Sequence, residues 1–249
     1  MMGNELVGKV VAITGASSGI GEATALKVVA AGGVVALAAR RTERIEALAA
    51  RIEEAGGKAI AVTTDVGDEA QAKAFVDATV ERLGRLDVLV NNAGVMLLGR
   101  VSGAATDEWR RMIDANLYGV LYATHAAVPH LLQQRSGHIV TVSSIAGVRA
   151  SAGSGVYNAT KFGVNAFSEA LRQELAEHDV RVTTINPGAV ETELRTHLSP
   201  ELQQAQKERF ADVEILQADD IADAIVYAIS QPPYVSINDV LVRPTRQQR

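Results

Sequence analysis

A tyrosine and a lysine four positions apart have the types and spacing needed for acid–base chemistry. On a helix, Tyr157 and Lys161 would lie on one face, with their Cβ atoms roughly 5–6 Å apart. An ammonium at that distance favours the phenolate, so we expect Lys161 to lower the pKa of the Tyr157 hydroxyl below its ordinary value of about 10. Such a hydroxyl can exchange a proton with a substrate oxygen near neutral pH.

Ser144 is a candidate hydrogen-bond donor to the same substrate oxygen. It follows an apolar run, 138–142, that is typical of a strand. A tyrosine and a lysine at this spacing also occur on ordinary surface helices, however. The chemical interpretation therefore depends on the elements that would position these side chains.

A glycine-rich turn near the start of the chain has the surroundings of a phosphate-binding site. It follows a short β-branched run, Lys9–Thr14, and precedes an alanine-rich helical pattern that ends near Ala31. Its spacing, from Gly15 to Gly21, is Gly-x-x-x-Gly-x-Gly rather than the more widespread Gly-x-Gly-x-x-Gly. Glycines let the backbone approach a pyrophosphate, and a helix N-terminus offers free N–H groups to it. A plain turn is the alternative, but the order of strand, turn and helix favours nucleotide binding.

The end of the second predicted strand, Val34–Ala38, bears on the choice of nucleotide. A site that prefers NAD carries an acidic residue about 20 positions beyond the glycines, where it binds the ribose 2′-hydroxyl. This chain has no acid there, and Arg40 and Arg41 follow instead. Guanidinium groups can bind a 2′-phosphate in a bidentate manner, which favours NADP(H) over NAD(H). The alternative is that the arginines pair with Glu43 and Glu46 in the next helix.

Strands and helices alternate along the chain, which predicts an α/β fold. The predicted strands are apolar runs near residues 9–14, 34–38, 59–63, 88–90, 138–142, 181–185 and 237–242. This rhythm indicates a single-domain Rossmann-type fold over residues 1–249, a doubly wound parallel sheet of about seven strands with helices on both faces. Ligands are expected beyond the carboxyl ends of the strands.

Polar residues follow several of these strands. Asp65 ends the third strand, where it could accept from an adenine amino group or, like Asp68, cap the next helix. Asn92 follows the fourth strand, and its amide can tie neighbouring strands together. Asn116 lies inside a helix predicted over 106–132, where an amide is either solvated, satisfied locally or placed for a purpose.

A long polar segment follows the sixth predicted strand. It covers about residues 189–217 and has no strand signal of its own. A segment in this place, after the carboxyl end of a strand, predicts a substrate lid.

The composition argues against several other classes of function. The net charge of −5 argues against a nucleic-acid-binding protein, which normally presents a basic face. The chain has no cysteine, and its five histidines share no ligand spacing, so we expect no metal site. The longest apolar run, 28–39, is too short to span a bilayer, and residues 1–5 lack the pattern of a secretion signal. We therefore expect a cytoplasmic protein with neither a membrane nor a nucleic-acid partner.

Taken together, the motifs resemble those of the short-chain dehydrogenase/reductase family. The resemblance extends over essentially the whole chain, and several independent motifs in one order are much more specific than any single motif. Ser144 lies 13 residues before Tyr157, as the catalytic serine of the family does, which selects it over Ser143. The matching residues are Thr14, Gly15, Gly19, Ile20, Gly21, Asp65, Asn91, Asn92, Ala93, Gly94, Asn116, Ser144, Tyr157, Lys161, Pro187 and Gly188.

The resemblance implies catalytic roles for four residues. Tyr157 would be the general acid in carbonyl reduction and the base in alcohol oxidation, and Ser144 would orient the carbonyl. Lys161 would lower the pKa of Tyr157 and hold the nicotinamide ribose. Asn116 would support a water that relays protons to Lys161.

The resemblance also implies an NADP(H)-dependent oxidoreductase, with NAD(H) the less favoured cofactor, that acts on a small carbonyl or alcohol substrate. It implies a homodimer or homotetramer in which the Asn116 and Tyr157 helices pack against a second subunit. The preference for NADP(H) rests on Arg40 and Arg41, because the glycine turn has no basic residue. The implied cofactor contacts are Gly15, Ser17, Ser18, Gly19, Ile20, Gly21, Arg40, Arg41, Asp65, Val66, Asn92, Ala93, Gly94, Tyr157, Lys161, Pro187, Gly188, Val190 and Thr192.

Within the family, the blocks 92–99, 157–168 and 243–245 are similar to the subgroup of clavulanic acid dehydrogenase and of 3-hydroxy acid or serine dehydrogenases. Two other functions use the same residues. One is an NADP-binding regulatory or interaction protein with little turnover, and the presence of Tyr157, Lys161 and Ser144 argues against it. The other is a hydrolase with Ser144 as nucleophile and Lys161 as base, which leaves the glycine turn without a role.

Overall fold

The strands of the molecule are short runs of valine, alanine, leucine and isoleucine, which suit strands that are buried on both faces. The computed structural model describes residues 5–248. The strands are β1 (Val10–Thr14), β2 (Val34–Ala39), β3 (Ala59–Thr63), β4 (Val88–Asn91), β5 (Gly137–Val142), β6 (Val180–Pro187) and β7 (Asp239–Val242). They form one sheet in the order β3-β2-β1-β4-β5-β6-β7, and every pair of neighbours is parallel. The predicted fold class is confirmed.

Helices cover both faces of this sheet. They are α1 (Gly19–Ala30), α2 (Thr42–Glu54), α3 (Glu69–Leu83), α4 (Thr106–Ile113), α5 (Gly119–Gln134), α6 (Gly155–Leu175), α7 (Pro200–Arg209) and α8 (Ala218–Ser230). Most predicted strand boundaries lie within two residues of the observed ones.

Two apolar layers form the core, one on each side of the sheet. Alternate residues of a strand serve opposite layers, so Val11 and Ile13 of β1 face one layer and Ala12 faces the other. Residues of α1, α2 and α8 fill the first layer, and residues of α3, α5 and α6 fill the second. The two layers hold the sheet in place, and because the strands are parallel, their carboxyl ends all lie at one edge of it.

The prediction of one continuous α-helix over 106–132 is wrong. A π-helical turn, Asp114–Tyr118, separates α4 from α5, and the N–H of Gly119 donates to the carbonyl of Asp114. Asn116 lies in this turn, and its amide makes hydrogen bonds to both main-chain groups of Val95. Apolar spacing does not report the hydrogen-bond register of a helix, which is why the sequence did not reveal the turn. π-Turns of this kind are frequent at functional sites.

The segment 189–217 has no strand longer than one bridge, between Val190 and Leu216 at its base. It contains a short 3₁₀ helix, Glu193–His197, and then α7. The sequence did not predict α7, because its residues are mostly polar and too few of them are apolar to form an amphipathic face.

Within residues 5–248, no helix is both long enough and apolar enough to cross a bilayer. In the same part of the chain, no three histidine, aspartate or glutamate side chains are grouped so as to hold a metal ion. Residues 1–4, part of the stretch without the pattern of a secretion signal, lie outside the described residues. The cytoplasmic location stays a prediction.

Candidate active site

A cleft of about 1200 Å³ opens at the carboxyl ends of the strands. It lies over the point where the strand order reverses between β1 and β4, the usual ligand site of such sheets. All of the predicted catalytic and cofactor-binding residues line it except Gly21 and Asn116, which are buried beneath it.

The glycine turn is fastened to the end of β4. Gly15 has a φ of +67°, and a Cβ added to it would lie 2.7 Å from the Cα of Ala93. At Gly21, an added Cβ would overlap the carbonyl oxygen of Gly15 and lie 2.6 Å from Nδ2 of Asn92. Nδ2 of Asn92 donates to the carbonyls of Thr14 and Gly15, at 3.0 and 3.1 Å. The predicted tie between neighbouring strand ends through Asn92 is therefore confirmed.

The start of α1 fits the pyrophosphate of a dinucleotide. Ser18 occupies the N-cap position, and its side chain makes no capping hydrogen bond, so the first-turn N–H groups have no side-chain acceptor there. Ser18, Gly19 and Ile20 all line the cleft. Because Gly19 has no side chain, a phosphate group can approach the backbone at this helix N-terminus closely.

Arg41 connects the start of α2 with the glycine turn and with the 189–217 segment. Its guanidinium donates to the hydroxyl of Ser17 through Nε (3.0 Å) and Nη2 (2.7 Å), and through Nη2 to the hydroxyl of Ser18 (2.7 Å). Nη1 donates to Oε2 of Glu193 at 2.6 Å, and Arg44 donates to the other oxygen of that carboxylate at 2.7 Å. These donors hold the pKa of Glu193 down at about 2, chiefly through the bonds from Arg41 and then Arg44.

The partners of the two arginines differ from those that the sequence suggested. Arg41 pairs with Glu193, and Nη1 of Arg40 lies 3.9 Å from Oδ2 of Asp65. Neither pairs with Glu43 or Glu46. Sequence reasoning missed Glu193, because it lies 152 positions from Arg41 and only the fold brings the two together.

Asp65 faces the cleft, and the cap of α3 comes from another residue. Oδ1 of Asp65 accepts from the N–H of Gly67 at 3.0 Å. Asp68 is the N-cap of α3, where its Oδ1 accepts from the N–H of Gln71 at 3.1 Å. Asp65 and the adjacent Val66 thus remain at the wall of the cleft.

Tyr157 and Lys161 lie together in the first half of α6, at the floor of the cleft. Both are buried, with 6% of each residue exposed. Nζ of Lys161 donates to the carbonyl of Val142 at 3.0 Å and lies over the Tyr157 ring, 5.9 Å from its centre. Ser144 follows β5, and its hydroxyl accepts from the N–H of Ala146 at 3.1 Å. Among the described residues, no hydrogen bond joins Ser144 to Lys161, which argues against a Ser/Lys hydrolase.

Burial dominates the titration of this pair. It raises the pKa of Tyr157 to about 12, although a hydrogen bond with Ser144 acts in the opposite direction. It lowers the pKa of Lys161 to about 8. The expectation that Lys161 lowers the pKa of Tyr157 below its ordinary value is not met in this structure, because burial of the hydroxyl disfavours the phenolate.

Asn116 is a positioning residue for the wall beside Lys161. Its Oδ1 accepts from the N–H of Val95 at 2.7 Å, and its Nδ2 donates to the carbonyl of Val95 at 2.9 Å and to the Thr160 hydroxyl at 3.3 Å. Gly94 leaves just enough room for this arrangement, since an added Cβ would lie 3.0 Å from Oδ1 of Asn116. The relay water expected at Asn116 stays a prediction.

The C-terminal tail contributes a residue that sequence reasoning missed. Oε1 of Gln247 accepts from the N–H of Ala189 at 2.9 Å, and an added Cβ at Gly188 would overlap that oxygen. Gln247 lines the cleft beside Pro187, Gly188, Val190 and Thr192. No local signal marks a glutamine in a polar tail, so only the fold identifies it.

Several apolar side chains line the cleft. The chain contributes Val95, Met96, Leu98, Ala146, Ala150, Ala152, Leu194 and Phe210 to it. Arg149, Arg195 and His197 also reach the cleft.

A parallel sheet with a glycine turn at its switch point, facing a buried tyrosine–lysine pair, defines the class of Rossmann-type oxidoreductases. Residues 9–203 match the model of one family in this class, described as short chain dehydrogenase. The chain belongs to this family of oxidoreductases.

Individual relatives cover nearly the whole chain. An uncharacterised oxidoreductase of Listeria innocua is 41% identical over 242 residues, which are 96% of this chain and 97% of that protein. The closed form of a serine dehydrogenase complexed with NADP⁺ superposes with a TM-score of 0.89 and 31% identity, over 96% of both chains. An alcohol dehydrogenase of Thermococcus sibiricus complexed with 5-hydroxy-NADP gives a TM-score of 0.86 and 29% identity, over 97% of this chain and 98% of that one.

Proposed function

We propose that the chain is an NADP(H)-dependent oxidoreductase that transfers a hydride between nicotinamide and a small carbonyl or alcohol substrate. The observation that carries the proposal is that Tyr157, Ser144 and Lys161 line the same cleft as the glycine turn and the two arginines after β2. Two solved relatives with similar folds are complexed with NADP⁺ or a derivative of NADP.

Nicotinamide, when bound, supplies or accepts the hydride, and the protein handles the proton. With a pKa near 12, the Tyr157 phenol is protonated at neutral pH, so it can donate a proton to the oxygen of a carbonyl that is being reduced. Ser144 donates a hydrogen bond to the same oxygen. Both donors bind a developing alkoxide more strongly than a ketone, which lowers the barrier.

Lys161 and Asn116 support this wall of the cleft. The Lys161 ammonium is anchored on the carbonyl of Val142 and faces the Tyr157 ring, where it favours any negative charge that develops on the phenol. Asn116 holds Val95 and the π-turn in register next to it. We assign these two residues to the charge balance and to the geometry of the proton donor.

We assign the 2′-phosphate of NADP(H) to Arg40 and Arg41. The end of β2 carries no acid to receive a ribose 2′-hydroxyl, whereas both guanidinium groups line the cleft. The remaining cofactor contacts are proposed at the residues named from the sequence, from Gly15 to Thr192.

We propose that the segment 189–217 is a substrate lid and that the protein is a homodimer or homotetramer. Leu194 and Phe210 of the segment line the cleft, so movement of the segment would open or close it. The NADP⁺ complex of the serine dehydrogenase is described as a closed form. The second subunit would pack on α5 and α6.

The test is the oxidation of NADPH by a panel of aldehydes and ketones. We expect the wild-type protein to consume NADPH and Tyr157→Phe to lose about 10²- to 10⁴-fold in rate, because a general acid is missing. Binding of NADPH, measured by titration calorimetry, should survive in the variant. The matched control is Tyr227→Phe, the same change on the exposed face of α8, which should keep the wild-type rate.

Two outcomes would contradict the proposal. A wild-type protein that binds NADPH but reduces nothing across a broad panel would favour a regulatory or interaction protein. Ester cleavage without any cofactor, lost in Ser144→Ala, would favour a hydrolase.

A further inference from the structure

The carboxylate of Glu193 occupies Arg41, one of the two arginines that we assign to the 2′-phosphate. Its two oxygens accept from Nη1 of Arg41 at 2.6 Å and from Nη1 of Arg44 at 2.7 Å. Glu193 begins the 3₁₀ helix of the 189–217 segment, whereas both arginines lie at the start of α2. The two ion pairs therefore fasten the start of this segment to the opposite rim of the cleft.

A carboxylate competes for these donors in a way that the neighbouring hydroxyls do not. Arg41 also donates to Ser17 and Ser18, but a hydroxyl can rotate and donate its own hydrogen to a phosphate oxygen. The ionised carboxylate of Glu193 has no hydrogen to donate, so it can only accept from the guanidinium groups. The two hydroxyls can therefore turn to donate to a phosphate, whereas Glu193 competes with the phosphate for the guanidinium donors.

The negative charge of Glu193 also disfavours the binding of a phosphate. A phosphate monoester carries a charge of about −1.5 to −2 near pH 7, so a carboxylate on the same guanidinium groups repels it. A ribose 2′-hydroxyl is different, because it can donate a hydrogen bond to a carboxylate, as it does in sites that prefer NAD. Asp65, 3.9 Å from Arg40, is a further acid at this end of the cleft, but it does not contact Arg41. Glu193 is therefore placed to oppose the binding of NADP(H) and to accept NAD(H).

We infer that Glu193 determines the discrimination between NADP(H) and NAD(H), because its carboxylate must leave Arg41 before a 2′-phosphate can bind there. The inference rests on the proposed function, since it takes the cleft as a dinucleotide site. When Glu193 leaves, the 3₁₀ helix loses its attachment to α2. A 2′-phosphate, and not an unphosphorylated ribose, thus releases the start of the 189–217 segment.

Titration calorimetry with 2′,5′-ADP and 5′-AMP isolates the contribution of the phosphate. The variant Glu193→Gln keeps the size of the side chain and removes its charge, so we expect it to bind 2′,5′-ADP about tenfold more tightly than the wild-type protein. The affinity for 5′-AMP should stay the same or fall. The matched control is Glu191→Gln, two residues away, whose carboxylate pairs with Arg195 at 3.3 Å and should leave both affinities unchanged.

Hydrogen exchange of the amides in residues 193–197 tests the release of the segment without any turnover. In the wild-type protein, 2′,5′-ADP should raise the exchange rate of these amides and 5′-AMP should not. In Glu193→Gln, the rate should already be raised without a ligand.

The inference is wrong if Glu193→Gln binds 2′,5′-ADP no more tightly than the wild-type protein, or if Glu191→Gln tightens binding equally. Either result would leave the proposed function standing as long as the wild-type protein binds NADP⁺. A wild-type protein that binds neither 2′,5′-ADP nor NADP⁺ would overturn both.

Discussion

His138 shows at the scale of one residue how burial fixes a protonation state far from the cleft. It lies in β5, and its Nε2 is 2.7 Å from the hydroxyl of Thr183, which donates its own hydrogen to the carbonyl of Ile237. Since that hydroxyl has only one hydrogen, Nε2 of His138 must be the donor to it. Nδ1 is then the bare nitrogen, and it has no partner among the described residues. Protonation would bury a charge and an unpaired N–H group, and burial lowers the pKa of His138 to about 3.

We expect this histidine to make the protein lose stability as the pH falls. Its pKa is lower in the folded chain than the ordinary value of 6.5, so only the unfolded chain takes up the proton between about pH 6.5 and pH 3. The free energy of unfolding should fall by up to about 1.4 kcal/mol per pH unit in this range from His138 alone. Urea unfolding of the wild-type protein at several pH values from 7.5 to 4.5 measures the slope.

The variant His138→Gln separates this contribution from that of the other groups. Glutamine can still donate to Thr183 but does not titrate, so the variant should be less stable at pH 7.5 and lose less stability on acidification. A slope identical to that of the wild-type protein would show that His138 is not responsible.

At the scale of the elements, the contact between the turn after β1 and the end of β4 shapes the cradle at the cleft. Gly15 combines a left-handed backbone with a close neighbour, whereas Gly56, after α2, has a similar φ of +83° and no atom within 4 Å of an added Cβ. A comparison of substitutions at the two glycines therefore separates the cost of backbone strain from the cost of a steric clash.

We expect Gly56→Ala to cost only the strain of a left-handed residue, about 1–2 kcal/mol of unfolding free energy, with NADP⁺ binding unchanged. Gly15→Ala should cost more, because its Cβ would displace Ala93, and it should weaken NADP⁺ binding at least about tenfold. Urea unfolding and titration calorimetry on both variants measure these effects. Equal losses in the two variants would show that the close approach of Ala93 has no importance.

Local patterns predicted most elements because each strand is a buried apolar run and each turn carries its own glycine or polar signal. The same reasoning placed Ser144 after a strand and Tyr157 and Lys161 on the next helix, and all three line one cleft in the structure. It failed where the deciding contact is distant in the sequence or depends on depth. Glu193 pairs with α2 across 152 positions, and spacing alone could not show that burial would raise the pKa of Tyr157. The π-turn at Asn116 depends on a hydrogen bond to Val95 that no periodicity reveals.

At the scale of the whole molecule, large apolar side chains remain exposed on the face formed by the π-turn and α6. Tyr118 is 46% exposed and Phe162 is 43% exposed, and the ring of Tyr118 stacks on that of Tyr122 with 5.5 Å between centroids. Leu117 packs against Gly163, so the two elements lie side by side and form one surface. Exposed aromatic residues grouped on one face are typical of an interface, and a two-fold axis would place this face against its own copy.

We therefore expect the wild-type protein to have the mass of a dimer or tetramer by light scattering coupled to size-exclusion chromatography. Phe162→Glu should lower that mass at least twofold, because a two-fold interface would bury the two added carboxylates in an apolar contact. The matched control is Leu26→Glu, which introduces the same charge at a leucine that is 38% exposed on α1, and it should keep the wild-type mass. A wild-type protein that elutes as a monomer, or a Phe162→Glu variant of unchanged mass, would show that this face is not the subunit contact, and the exposed aromatic residues would then need another explanation.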